Sequence, residues 1–319
     1  MADHDDLHQH RHHHRHHHSH GKRKKMGWGK KLGIILGIFL LVDVLAIAKM
    51  YYDANSALKN TYKKVKQEQT TKLDGKHPFS VLILGADTGE YGRSYQGRSD
   101  TIMVAAVNNH KTTLVSIPRD TKVSIAGHGS DNKINAAYSY DGISGAMNTV
   151  ESYLGVPINY YIELNMKGLK ELSAAIGPVK VNNNLDFTSD GIHFEKGEIT
   201  IDSSNILAYI RMRHEDPNGD YGRQMRQRQV VTAMIEKLAS VKSIVKYKSI
   251  LNVLSANMKT NLTFSDMQKI FIHYRGGKNI NQLQLQGQTE MINGVSYEVV
   301  PQSNLQKIQN ELKKTLKAK

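Results

Sequence analysis

Three apolar runs decide the fold: SVLILGAD (80–87), TIMVAAVN (101–108) and TTLVSIP (112–118). Each is short, rich in branched residues and closed by Gly, Asn or Pro, the pattern of buried strands rather than of helices. Asn108-Asn109-His110-Lys111 between the last two reads as a hairpin turn. Downstream, GISGAMNTVESYLG (142–155) and MKGLKELSAAIG (166–177) carry helical periodicity and alternate with the strands YYIEL (160–164) and VKV (179–181). Ser203 and Ser204 can cap a helix through NILAYIRMR (205–213), and a longer helix follows over 223–240. Beyond it the sequence predicts two further helices, the second capped at Ser265-Asp266. A hairpin over 282–300 turning at Asn293-Gly294 and a last helix after Ser303 follow. Strands alternating with helices indicate an α/β domain layered about a central sheet. Residues 241–319 are too few for a domain of their own and continue the fold of 77–240.

Upstream of this domain the chain changes character. Residues 1–31 are histidine-rich and basic, a composition that cannot bury a core. Residues 32–50 form an apolar run of about the 20 residues a membrane-spanning helix needs. Trp28 on one side and Tyr51 and Tyr52 on the other stand where aromatic anchors meet headgroups. Lys22, Arg23, Lys24, Lys25, Lys30 and Lys31 crowd the first flank, so the positive-inside rule puts the N-terminus in the cytoplasm and everything after Tyr51 outside. The expected location is the cell membrane, single-pass, with the domain extracellular. Asp43 interrupts the run, to be protonated, paired or tolerated near the outer end. Ala46-Ile47-Ala48 resembles a signal-peptidase site, but the run exceeds an ordinary signal core, which favours an uncleaved anchor. Residues 51–76 are polar and read as a stalk.

Composition narrows the chemistry. The 43 Lys and Arg against 29 Asp and Glu leave a net charge of +14, suited to phosphate-bearing lipids, nucleic acid or anionic wall polymers. Absence of cysteine excludes a disulfide framework, thiol catalysis and Cys-ligated metal. The glycine-rich stretch 85–97 lacks the Gly-Lys-Ser/Thr of a phosphate-binding loop, and no dinucleotide fingerprint opens a helix.

Arginine and aspartate concentrate at element ends. Asp87 closes the first strand; Arg98 and Asp100 precede the second; Arg119 and Asp120 follow the third. The segment 211–229 carries Arg211, Arg213, Asp216, Asp220, Arg223, Arg226, Gln227 and Arg228. Loops at one set of strand ends form the ligand crevice of open α/β sheets, and arginine forks grip phosphate oxygens bidentately. Carboxylates among them require a cation if a phosphate is to approach, and Mg²⁺ (or Mn²⁺) takes such ligands. Any one Arg–Asp pair also reads as a loop-holding salt bridge, but exposed pairs contribute only ~0–1 kcal/mol each, which does not explain all four segments. His214 reads as a loop residue rather than a base.

Together LGAD (84–87), GRSDTIM (97–103), SIPRDT (116–121), KINAAY (133–138) and RMRHEDPNGDYGRQMRQ (211–227) resemble the LytR-CpsA-Psr family of wall glycopolymer ligases. The resemblance implies a mixed sheet flanked by helices in three α/β/α layers, with an apolar slot for a polyprenyl tail. It implies Asp87 and Asp100 as Mg²⁺ ligands, and Arg98, Arg119, Arg211, Arg213, Arg223 and Gln227 around the pyrophosphate. Lys133 would lie near the phosphates and Asp220 would brace the arginines. Asp87 would be the first choice to take the acceptor proton, with Arg98 and Arg119 also catalytic. The implied reaction moves a teichoic acid or capsule-type polymer from undecaprenyl pyrophosphate to peptidoglycan, releasing undecaprenyl phosphate. Rival readings are a membrane-bound regulator that binds the lipid without turnover and a polyprenyl-pyrophosphate phosphatase. Nucleic acid is not an expected partner, since the tail carries no folded DNA-binding motif.

Overall fold

The computed structural model describes residues 28–65, 71–86, 99–238, 246–274, 277 and 279–317, with side chains from residue 40 onward. Asp87, Arg98 and the histidine-rich tail lie outside the described residues. Two units divide the chain, Met1–Lys49 and Met50–Lys319. Helix α1 (Trp28–Lys59) contains the expected span over 32–50. Among the described residues, no helix is long and apolar enough to cross a membrane. In this helix Leu40, Leu41, Val42, Val44, Leu45 and Ile47 are all exposed.

The second unit is built on a six-stranded mixed sheet. Strands β1 (Phe79–Ala86), β2 (Ser99–Val107) and β3 (Thr112–Ser116) are the three runs that opened the reading, and β1–β2 and β2–β3 pair antiparallel as their short connections require. The hairpin β4 (Lys122–Ser124) and β5 (Asp131–Lys133) leads into helix α2 (Ala136–Leu154). The crossover returns as β6 (Tyr160–Asn165), parallel to β1. Helix α3 (Met166–Ile176) then precedes two small hairpins, one formed by β7 (Val179–Asn183) with β10 (Gly197–Ile201), the other by β8 (Phe187–Ser189) with β9 (Ile192–Phe194). Helices α4 (Ile206–Arg211), α5 (Asp220–Leu238) and α6 (Tyr247–Asn257) follow. Next come β11 (Met258–Thr260), α7 (Phe264–His273), β12 (Ile280–Gln284), the hairpin β13 (Gln288–Ile292) with β14 (Val295–Val299), and α8 (Gln302–Lys317). The sheet order is β11-β6-β1-β2-β3-β12.

Both sheet faces are covered, which is why the opening strands read as nearly unbroken apolar runs. Leu82, Leu84, Val104 and Val115 point into a core shared with α2 (Met147, Val150, Leu154) and α8 (Leu305, Ile308, Leu312). Phe79, Val81, Met103, Ala105 and Leu114 point the other way, into a core packed by Val231 of α5 and Met267 and Ile270 of α7. A third cluster lies under the small hairpins and α3 to α6, with Phe187, Phe194 and Tyr209 at its centre.

Several boundaries differ from the expectations. VKV pairs with β10 and stays outside the central sheet; its alternation of buried Val and exposed Lys and Asn already marks a strand with one solvated face. The segment expected as the first arm of a long hairpin is β12, parallel to β3, and only β13 and β14 turn at Asn293-Gly294. That turn has φ of 53° and 79°, the left-handed pair that a two-residue hairpin loop demands. Ser203 and Ser204 do not cap α4, because Asp202 Oδ1 accepts from the Ser204 N–H at 2.7 Å and its hydroxyl at 2.5 Å. Thr263 rather than Ser265 caps α7, since its hydroxyl and Asp266 three residues on satisfy each other's backbone N–H groups. Helix α2 starts at Ala136, ahead of the expected Gly142, and bends at Asp141-Gly142.

Candidate active site

The topology brings the charged segments to one end of the sheet. Because β1, β3 and β6 run one way and β2 the other, the start of β2 and the end of β3 share an edge. There Arg119 Nη1 donates to Asp100 Oδ1 at 2.6 Å. Asp120 Oδ1 takes Lys133 Nζ at 2.8 Å, and its other oxygen lies 3.7 Å from Arg119 Nε. The KINAAY segment is held alongside by backbone bonds from Ile134 N to Thr121 O at 2.8 Å and from Asn135 N to Arg119 O at 3.2 Å.

Helix α5 contributes the opposing wall. Asp220 sits in its first turn, where a carboxylate complements the helix dipole. It accepts from Gln224 Nε2 at 2.8 Å and lies 2.5 Å from Arg223 Nη2. Arg223 Nη2 is thus ion-paired with Asp220, whereas Arg223 Nε and Arg119 Nε are buried donors without a hydrogen-bond acceptor among the described residues. Burial pulls the Arg223 guanidinium below its ordinary pKa; Asp220 opposes this, and Arg119 and Arg213 reinforce it. Arg119 moves the other way: burial lowers it, but the bond to Asp100 and the charges of Asp100, Asp120 and Asp220 outweigh that. These mutual fields place Arg119, Arg213, Arg223, Asp100, Asp120 and Asp220 in one neighbourhood. With Lys133, four cations face three carboxylates among the described residues. Buried donors of this kind cost free energy until an acceptor arrives, and a phosphate oxygen is the acceptor whose charge and geometry they match.

Gln227 stands one turn beyond Arg223 and lines a small apolar cavity of ≈ 70 Å³ with Ile83, Thr101, Leu164 and Val231. Ile83 also lines a larger one of ≈ 740 Å³ that continues along the same sheet face past Val81 and Phe79 to Phe271 and Tyr274. The two cavities, which share Ile83, together form a mainly apolar slot along one sheet face, its smaller end bordered by Gln227 one turn from Arg223. Arg211 ends α4, half-buried.

The arginine-rich helix does not send all its cations to this site. Arg226 is fully buried: Nη1 donates to Asp216 Oδ2 at 2.6 Å, Nη2 to the Met212 carbonyl at 2.6 Å and Nε to the Tyr209 carbonyl at 3.2 Å. It staples α5 to the strand of chain carrying Arg213. The space is so tight that a Cβ at Gly222 would fall 1.7 Å from the Asp216 carboxylate. Arg228 faces β12 instead, its Nη2 3.5 Å from Gln284 Oε1, and burial pushes it down to about 10. His214 is exposed.

One contributor escaped the sequence reading, and another, Asp120, is singled out there beside Arg119 without its bond to Lys133. Glu298 of β14 accepts the Tyr221 hydroxyl, while its backbone N–H donates to the Asp120 carbonyl at 2.9 Å. The hairpin therefore ties the Arg119 loop to the start of α5. Burial first, then Glu298, raises the Tyr221 hydroxyl well above its ordinary range. A single acid within the run VSYEV (295–299) was the available signal.

The LytR_cpsA_psr family model matches residues 44–314. The chain is 49% identical over 305 residues, 92% of its length and 100% of the relative's, to the polyisoprenyl-teichoic acid–peptidoglycan teichoic acid transferase TagU of Enterococcus faecalis. It is 40% identical over 301 residues, 92% of this chain and 97% of the relative, to the TagU of Bacillus anthracis. Among solved structures it resembles B. subtilis TagU (TM-score 0.62, 40% identity, 76% of this chain and 99% of that one). It also resembles TagT bound to LIIa-WTA (TM-score 0.66, 30% identity, 80% of this chain and 97% of that one).

Proposed function

Since the chain belongs to the LytR-CpsA-Psr family, we propose that it transfers a polyprenyl-pyrophosphate-linked glycopolymer of teichoic acid type to peptidoglycan, releasing polyprenyl phosphate. The observation that carries this is the pair of guanidiniums, Arg119 and Arg223, whose buried Nε–H groups have no hydrogen-bond acceptor among the described residues, beside a mainly apolar slot. Phosphates would engage the arginines while the polyprenyl tail occupies the slot past Ile83. Undecaprenyl is the tail chemistry we expect, and the relatives' names favour teichoic acid over a capsule-type polymer.

In the reaction an acceptor hydroxyl oxygen on peptidoglycan attacks the phosphorus nearer the glycan. The bond from that phosphorus to the bridging oxygen breaks, and the electron pair leaves with the lipid phosphate. The product is a phosphodiester, and the hydroxyl proton passes to a carboxylate. Positioning and charge stabilisation dominate such transfers. Arg119, Arg213 and Arg223 would neutralise the developing charge, with Arg98, Arg211, Gln227 and Lys133 completing the cradle. Asp220 holds Arg223 in place. Asp87 remains our choice to receive the proton.

Asp100 supplies a hard carboxylate oxygen at the cluster's edge, a donor that fits Mg²⁺ or Mn²⁺ alongside phosphate oxygens, with Asp87 as its intended partner. Such a cation would neutralise phosphate charge. The exposed apolar side chains of α1 support residues 32–50 as an anchor, with the N-terminus cytoplasmic and the second unit outside the cell.

The test is the full chain in vesicles with lipid-linked teichoic acid and peptidoglycan oligomers. Joined product is expected, lost in Arg119→Ala with circular dichroism unchanged, and lost on chelation until Mg²⁺ is restored. Undiminished transfer by Arg119→Ala would refute the site. Release of free glycan phosphate alone would identify a phosphatase, and binding without turnover a sensor.

A further inference from the structure

The far end of the slot carries a feature that phosphate chemistry does not explain. Helix α7 presents Ile270, Phe271 and Ile272 in succession. Ile270 packs on the core, but Phe271 and Ile272 are 59% and 54% exposed, and Ile235 of α5 is 46% exposed. Phe271 and Ile235 both line the slot. Single exposed apolar residues are ordinary, whereas a group at the rim of an apolar cavity marks an interaction surface.

We infer that this rim seats in the outer leaflet of an anionic lipid bilayer, so that the polyprenyl tail passes from membrane to slot without crossing water. The inference rests on the proposed lipid-linked substrate and anchor.

Three observations select a bilayer as the occupant. First, Phe264, which opens α7, packs edge-on against Tyr51, ring centroids 5.4 Å apart at 63°. Tyr51 follows directly on the apolar run 32–50, and Tyr52 beside it is 72% exposed. At 1.5 Å per residue, Ile272 lies roughly 12 Å along the helix from that contact. Second, the Tyr247 hydroxyl lies 3.2 Å from Asp53 of α1, which sets the start of α6 on the same side of the unit. Its neighbours Lys246 and Lys248 are exposed. Aromatic, aliphatic and lysine side chains around the segment that follows the apolar run are the composition of a membrane interface, the lysines matched to anionic headgroups. Third, the rim is continuous with the larger cavity, whose lining is mainly apolar, with Glu236 at its edge beside Ile235.

The experiment uses the full chain in nanodiscs of phosphatidylglycerol with brominated acyl chains. The chain has a single tryptophan. Trp28→Phe combined with Ile272→Trp therefore leaves one reporter on the rim. Strong bromine quenching is expected there, and none for Tyr140→Trp in the same background, since Tyr140 is exposed on α2 across the sheet. In parallel, Ile272→Asp, a position off the slot lining, should slow transfer from a long-chain lipid-linked substrate in vesicles roughly tenfold, the order set by one buried aliphatic side chain. Transfer from a short-chain, water-soluble analogue should be unchanged. Absent quenching at position 272, or an Ile272→Asp rate equal to the parent's on the long-chain substrate, would overturn the inference. So would shielding of the reporter that rises with protein loading without bromine quenching, which would identify a second copy as the occupant. If the unsubstituted chain transfers neither substrate, the ligase reading fails while the quenching still reports on the rim.

Discussion

Replacing Asp216 by Asn removes one negative charge from a place where nothing else can supply it. Arg226 is 0% exposed and Asp216 7%. The guanidinium keeps the Met212 and Tyr209 carbonyls and the face of the Phe187 ring, 5.1 Å from its centroid, but these are dipoles and a quadrupole rather than a counter-charge. Breaking a buried pair by removing one partner costs about 3–5 kcal/mol, far more than the pair's net worth, because the surviving ion stays desolvated. At about 2–4 °C per kcal/mol for a domain of this size, the melting temperature should fall by roughly 10 °C. The near-equal volume of Asn keeps the Gly222 approach intact, so sterics do not confound the result. The assay is thermal unfolding followed by circular dichroism, with a second variant combining Asp216→Asn and Arg226→Met. Removing both charges should recover at least half of the loss, since no buried ion is left alone. A single variant melting within about 2 °C of the parent, or a double variant worse than the single, would refute a desolvated pair at this position.

Arg228→Met should stabilise the fold by about 1–3 kcal/mol, because the guanidinium is buried without a hydrogen bond at Nε or Nη1. In the unfolded chain this group keeps its ordinary pKa, whereas the folded value is about 10, so the parent gains stability as pH rises through that value. The advantage of Arg228→Met should therefore be constant near neutrality and shrink above pH ~10, as thermal scans at the two pH values would show. Tyr221→Phe should leave Glu298 Oε1 without the Tyr221 hydroxyl, only Thr289 Oγ1 still donating to the other oxygen at 3.2 Å, and cost about 1–3 kcal/mol locally. Faster hydrogen exchange confined to β13, β14 and the Arg119 loop is the expected readout.

Much of this architecture was legible because period and punctuation agree. The runs at 80–87, 101–108 and 112–118 could only be strands covered on both faces, and the charged residues ending them had to share the ends of that sheet. Less legible was the destination of each arginine on α5. Arg223, Arg226 and Arg228 occupy one short stretch and look interchangeable in sequence, yet helical geometry turns one to Asp220, one to Asp216 and one to β12. Only the partners distinguish them, and Asp216 reads as a loop residue until the chain folds back. Caps were misplaced for a similar reason. Where several Ser, Thr and Asp residues adjoin, the winner is set by which side chain reaches the third N–H, as Thr263 does. The parallel docking of β12 depends on β3 offering a free edge, a long-range fact that local alternation cannot carry.

The order of the sheet has a consequence for how the molecule is made. Its outermost strands, β11 and β12, come from the last third of the sequence, while the interior strands β1, β2, β3 and β6 are synthesised first. Until residue 260 is available a nascent chain presents two unpaired hydrogen-bonding margins, β6 on one side and β3 on the other, and the β3 margin stays open until residue 284. Assembly is therefore non-local and slow to close, and an exported chain would need shelter from like chains until its C-terminal segment seals both margins.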